Sequence, residues 1–195
     1  MKMTSLTING RTVSRLFING REVALGSASC DALCFTAKSD QSMLRLSQSG
    51  NPDSISLQTS FDGKSWTPYN VGDTITVPKA GGKVYFKAVG YNSRLAISPE
   101  NYHKFDFIGE FESSGNVNSL LEEDEYIARA MSLENRDFCY AYLFSGGHLT
   151  TAPELPATTL AYGCYAMMFN GCSSLTQAPE LPTTTLAGFC YYCMF

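Results

Sequence analysis

The chain has 195 residues and a mass of 21.3 kDa, room for one or two domains. Charged residues make up 16% and the formal net charge is −4, which argues against a nucleic-acid-binding face. Two histidines, His103 and His148, leave little material for a histidine-rich metal site or relay, and no segment offers the ~20 apolar residues of a membrane span.

In chain order, Leu6-Thr-Ile-Asn-Gly10-Arg-Thr-Val13 is echoed ten residues later by Leu16-Phe-Ile-Asn-Gly20-Arg-Glu-Val23. Each reads strand, Asn-Gly, strand, the pattern of a tight hairpin whose two turn residues accept positive φ. Leu16-Phe-Ile18 is the longest apolar run of this opening, far short of a ~7–15-residue signal core. These tandem hairpins, spanning 1–29, resemble the opening segments of phage tail-fibre and appendage proteins, which the resemblance would make docking or multimerising pieces.

Residues 30–110 read as all-β. Ile55–Phe61 alternates, Asp62-Gly63 turns, Ser65-Trp66-Thr67 resumes, and Thr74–Val77 and Lys83–Val89 follow. Turn residues at roughly 8–12-residue spacing predict a β-sandwich. The segment resembles a small immunoglobulin-like domain, with Trp66 as its expected core aromatic. Ser60-Phe-Asp62-Gly63-Lys-Ser-Trp66 also resembles a shortened Asp-box, which implies a structural hairpin and no chemistry.

From 111 to 137 the chain reads as a linker and an N-terminal cap. Ser113-Ser-Gly-Asn116 marks a loop. Glu122–Glu125 suits the first turn of a helix, where acidic groups complement the dipole, and Tyr126, Ala130 and Leu133 fall at helical spacing.

Residues 138–195 repeat. Leu149-Thr-Thr-Ala-Pro-Glu-Leu-Pro-Ala-Thr-Thr-Leu160-Ala returns as Leu175-Thr-Gln-Ala-Pro-Glu-Leu-Pro-Thr-Thr-Thr-Leu186-Ala, 26 residues on. Cys164-Tyr-Ala-Met-Met-Phe169 returns as Cys190-Tyr-Tyr-Cys-Met-Phe195, and a partial copy, Cys139-Tyr-Ala-Tyr-Leu-Phe144, lies 25 residues upstream. Leu160, Cys164 and Met168, four apart, predict one face of a short helix ended by Asn170-Gly171. Pro179 and Pro182 predict an extended turn. These 58 residues hold two acids, Glu154 and Glu180, and no Lys or Arg, against eleven aromatics and five cysteines. A module so apolar must cover its faces with neighbouring copies or caps. The pattern breaks off at Phe195 inside a unit, as in a piece of a longer array or a unit packed on another chain.

This stretch resembles BspA-like bacterial leucine-rich repeats, in the variant built on Ala-Pro-Glu-Leu-Pro and Met-Phe. The match is nearly complete over 149–195 and partial over 139–148. The resemblance implies a display protein on a bacterial surface or a phage particle, binding a protein or glycan on a host or neighbouring cell, and it brings no ligand residues with it. The expected fold class is therefore mixed β and α/β: hairpins and an immunoglobulin-like sandwich, then a short leucine-rich-repeat solenoid.

Cys190-Tyr-Tyr-Cys193 is formally Cys-x-x-Cys, yet it lacks the second pair of a zinc site and the βαβ setting of a redox site. Cys139, Cys164 and Cys190 share a repeat position, which predicts buried packing, while Cys30 and Cys34 are near enough to pair after export. The acidic run Glu122–Glu125 lacks calcium-loop spacing. Glu154 and Glu180, one repeat apart, allow a glycosidase pair on paper, since strand spacing of ~4.8 Å approaches the ~5–5.5 Å of a retaining pair. Repeat duplication accounts for them without catalysis. The expectation is a protein that is not an enzyme and needs no cofactor or metal, with Thr151, Glu154, Gln177 and Glu180 as its binding strip and self-association through the last repeat as a further contact.

Overall fold

A computed structural model describes residues 31–124, 128 and 131–195, together with the short strands of the first thirty residues. The chain divides into two compact units, Met1–Cys30 and Asp31–Phe195. In the first, β1 (Thr7–Ile8) pairs antiparallel with β2 (Arg11–Thr12), and β3 (Leu16–Ile18) with β4 (Arg21–Val23). The Asn-Gly pairs between them lie outside the described residues, as do Cys30, Tyr126 and Ala130.

The second unit carries two sheets. One runs through β14 (Leu149–Thr151), β13 (Phe111–Ser114), β5 (Leu33–Ala37), β10 (Lys83–Ala88), β7 (Leu57–Ser60) and β8 (Thr67–Tyr69), in that spatial order. The other runs β11 (Ala96–Ser98), β12 (Asn101–Ile108), β6 (Ser42–Ser49) and β9 (Ile75–Val77). All pairs are antiparallel except β13 with β14. The strands alternate as half-buried strands must: Leu44 and Leu46 of β6 and Val84 and Phe86 of β10 are buried, whereas Arg45 and Lys83 are exposed. Phe35 sits at the centre, with the rings of Phe86, Phe105, Phe107, Phe111 and Phe144 at 4.9–6.5 Å. Trp66 is not in this core. It is half-buried with the Lys87 ammonium 4.7 Å over its ring, and Tyr69 packs edge-on to Phe86 in the place expected for it.

The α/β part of the expected fold class is overturned. The unit is β-sandwich-like, and no leucine-rich-repeat solenoid of strands and helices forms. Among the described residues of 138–195 none is helical. The segments read as helices are ribbons of consecutive turns: ribbon 1 over 136–147, ribbon 2 over 161–172 and ribbon 3 over 187–195. Within a ribbon every second amide bonds three residues back, as Ala141 does to Phe138 and Leu143 to Tyr140. Every fourth residue has positive φ: Phe138, Tyr142 and Gly146, then Gly163, Met167 and Gly171, then Phe189 and Cys193. A left-handed residue every four positions returns the same side to the core as often as a helical turn nearly does. The spacing of Leu160, Cys164 and Met168 is therefore satisfied without a helix.

The amides that do not close turns bond to the next copy. Those of Phe138, Tyr140, Tyr142, Phe144 and Gly146 donate to the carbonyls of Tyr162, Cys164, Ala166, Met168 and Asn170 at 2.7–3.0 Å. Those of Gly163, Tyr165, Met167 and Phe169 donate to Gly188, Cys190, Tyr192 and Met194 at 2.8–3.0 Å. Rings stack in the same register. Tyr140, Tyr165 and Tyr191 lie 5.6 and 5.9 Å apart, and Phe105, Phe144, Phe169 and Phe195 follow one another at 5.8, 5.4 and 5.8 Å. The sandwich bonds to the outer side of ribbon 1, where the amides of Leu95 and Phe105 donate to the carbonyls of Cys139 and Leu143. One continuous hydrophobic core therefore runs from Leu33 to Met194.

Candidate contact surface

Thr151 lies on β14, and β13 uses its hydroxyl. That oxygen accepts the Ser113 amide at 2.9 Å and donates to the Ser113 carbonyl at 2.8 Å. Glu154 is tied through its backbone, its amide donating to Gly115 and its carbonyl accepting from Val117. Gln177 and Glu180 are exposed, as is Glu154. The two copies touch on either side of the Glu-bearing turn: the Thr176 amide and hydroxyl reach the Thr150 carbonyl at 3.5 and 3.4 Å, and the Thr183 hydroxyl donates to the Thr158 carbonyl at 2.9 Å. The structure thus makes Thr151 an exposed sheet residue and leaves the other three exposed as well.

A stronger feature is apolar, and the last repeat carries most of it. Repeat-equivalent residues have opposite fates. Leu160 is 8% exposed and Leu186 67%; Phe169 is 1% exposed and Phe195 56%. The side chains are equivalent, but the first of each pair is covered by the copy that follows it. Tyr162, Leu181, Phe189 and Tyr192 are exposed as well. An open cleft of about 330 Å³ lies beside the Phe169–Phe195 stack, lined also by Cys172, Leu175 and Gln177. Gln177 is therefore the one strip residue that joins the apolar surface. The signal for this was present in the near-identity of the two units: identical modules cannot both be covered by a later one.

Several titratable groups are built into the fold. Burial pushes the Cys139 and Cys164 thiols up to about 12, far from the thiolate a nucleophile needs. Burial holds His103 below its usual value, and its ring Nδ1 lies 2.9 Å from the Leu95 carbonyl. Asp62 closes the hairpin before β8 by accepting from the Ser65 and Lys64 amides and from the hydroxyls of Ser60 and Ser65. Those bonds hold its carboxyl well below the usual carboxylate range. Glu123 of the acidic run accepts from the Gly90 amide at 3.0 Å, with the Lys87 ammonium 3.6 Å away. Among the described residues no three His, Cys, Asp or Glu side chains are placed to hold a metal, and no helix is long and apolar enough to cross a membrane.

No protein-family model, curated protein or solved structure matches this chain.

Proposed function

We propose that this protein is a non-enzymatic recognition protein, displayed on a bacterial cell or phage particle, whose C-terminal repeats contact a protein or glycan on another cell. One observation carries the reading: side chains buried in one repeat are bare in the next, Leu186 and Phe195 among them, in the same repeat as the exposed Gln177 and Glu180. Exposed large apolar side chains brought together in this way mark interaction sites. The contact residues are Tyr162, Leu181 and Leu186 with Gln177 at the cleft, Thr151 serving the sheet beneath them. In this role the sandwich is a spacer of immunoglobulin-like kind.

The test is capture of the intact chain on panels of cell-surface proteins and glycans, repeated with Leu186→Ser and with Gln177→Ala. Central apolar contacts carry most of a binding energy, so Leu186→Ser weakens capture at least about tenfold while Trp66 fluorescence reports an unchanged fold. Capture unaltered by both substitutions refutes the surface. Turnover of any panel glycan that Glu154→Gln or Glu180→Gln abolishes refutes the non-enzymatic reading.

A further inference from the structure

The inter-ribbon hydrogen bonds have a direction. Ribbon 1 donates to ribbon 2, and ribbon 2 donates to ribbon 3. In ribbon 3 the carbonyls of Gly188, Cys190, Tyr192 and Met194 are taken by ribbon 2, and those of Ala187, Phe189 and Tyr191 close its own turns. The amides of Phe189, Tyr191, Cys193 and Phe195, equivalent to the four donors of ribbon 2, find no acceptor among the described residues. The outer edge of ribbon 3 is thus a row of donors on alternate residues, flanked by the uncovered faces of Tyr191 and Phe195.

We propose that this edge docks one further polypeptide unit of the same repeat whose carbonyl row is unoccupied. A segment in the ribbon conformation offers carbonyls on alternate residues at the spacing of Gly188, Cys190, Tyr192 and Met194, with a Tyr and a Phe ring placed to continue the two stacks. An ordinary strand edge offers donors and acceptors mixed, and it leaves the row half answered. A second folded copy does not fit either. Its ribbon 2 and ribbon 3 carbonyl rows are taken by the preceding ribbons, and on ribbon 1 the sandwich amides of Leu95 and Phe105 hold Cys139 and Leu143. Its open end would set donors against donors. The edge is therefore one-sided: it accepts a unit that has carbonyls to give, and it rejects its own image. This inference goes beyond the recognition surface above: a docked unit would cover Leu186 as the following copy covers Leu160, but the readout is the amide row, in which Leu186 and Gln177 play no part.

The experiment follows amide exchange by NMR on the full chain in three forms: alone, with a synthetic peptide of the sequence of residues 170–195, and extended after Phe195 by a second copy of that sequence. The extension removes the cost of bringing the segment from solution. Exchange at Phe189, Tyr191, Cys193 and Phe195 slows at least tenfold in the extended chain, toward the rates of Gly163, Tyr165, Met167 and Phe169. Protection by the free peptide as well gives the same answer in trans. If the four amides of the extended chain exchange as in the parent, the proposal fails. It fails too if an extension of scrambled order protects them equally, or if the chain alone protects them as its concentration rises, since the occupant is then any apolar segment or a second copy.

Discussion

Phe144 joins the repeats to the sandwich. It is fully buried, lies near-parallel to Phe105 at 5.8 Å on one side and to Phe169 at 5.4 Å on the other, and meets Phe35 edge-on at 6.1 Å. Phe144→Ala removes a whole ring from a site whose walls are held by two sheets and a ribbon, so the cavity cannot collapse. Such truncations cost about 3–5 kcal/mol, toward the upper end where aromatic pairs are lost with the area. Taking about 4 kcal/mol and a urea m-value of ~2 kcal/mol/M, the unfolding midpoint falls by roughly 2 M. The assay is urea unfolding followed at Trp66, the single tryptophan, which lies outside the repeats. If sandwich and repeats share one core, the Trp66 transition moves by the full amount, and Phe144→Leu moves it less than half as far. A Trp66 midpoint unchanged by Phe144→Ala would refute the shared core, whatever happened to the repeats.

His103, held neutral by burial, gives a pH dependence of known sign. Its folded-state value lies below the usual 6.5, so the unfolded chain binds the extra proton, and stability falls as pH drops from about 6.5 through the folded value. Urea midpoints at pH 7 and pH 5.5 show this fall, and His103→Gln reduces it. In a Cys30→Ser background Cys193, the exposed thiol, reacts fast with a disulfide reagent at pH 8, while Cys139 and Cys164 react only on unfolding. The left-handed positions separate by residue. Gly163→Ala places a methyl 2.9 Å from the Phe138 ring at φ +59 and costs more than about 1 kcal/mol by thermal melting. Met167→Gly, at the same backbone conformation (φ 58), changes stability by less than about 1 kcal/mol because relief of backbone strain offsets the lost side chain.

The strands with local signals were readable. Alternation over Ile55–Phe61 and Lys83–Val89 lands on β7 and β10, and the Asp62-Gly63 turn joins β7 to β8. The longest strands, β6 and β12, were not singled out. Arg45, Ser47, Lys104 and Asp106 lie on their outer faces, and their seven-pair register joins residues some sixty positions apart. The parallel pairing of β13 with β14 joins residues 38 and 39 positions apart. The 26-residue repeat was legible, but its local conformation was not. A four-residue apolar period fits a helix and a turn ribbon alike, and only Gly146, Gly163 and Gly171, in line with Tyr142, Phe138 and Phe189, hinted at recurrent positive φ. Thr151, Glu154, Gln177 and Glu180 are all exposed. The bond from the Thr151 hydroxyl to Ser113, a partner 38 positions away, is announced by no motif.

The bonds from Leu95 and Phe105 to ribbon 1 also set an order of dependence. Ribbon 1 rests on those two amides, and each later ribbon rests on the one before. Deleting ribbon 3 strips the outermost layer and leaves the rest standing; breaking β12 removes the foundation from all three.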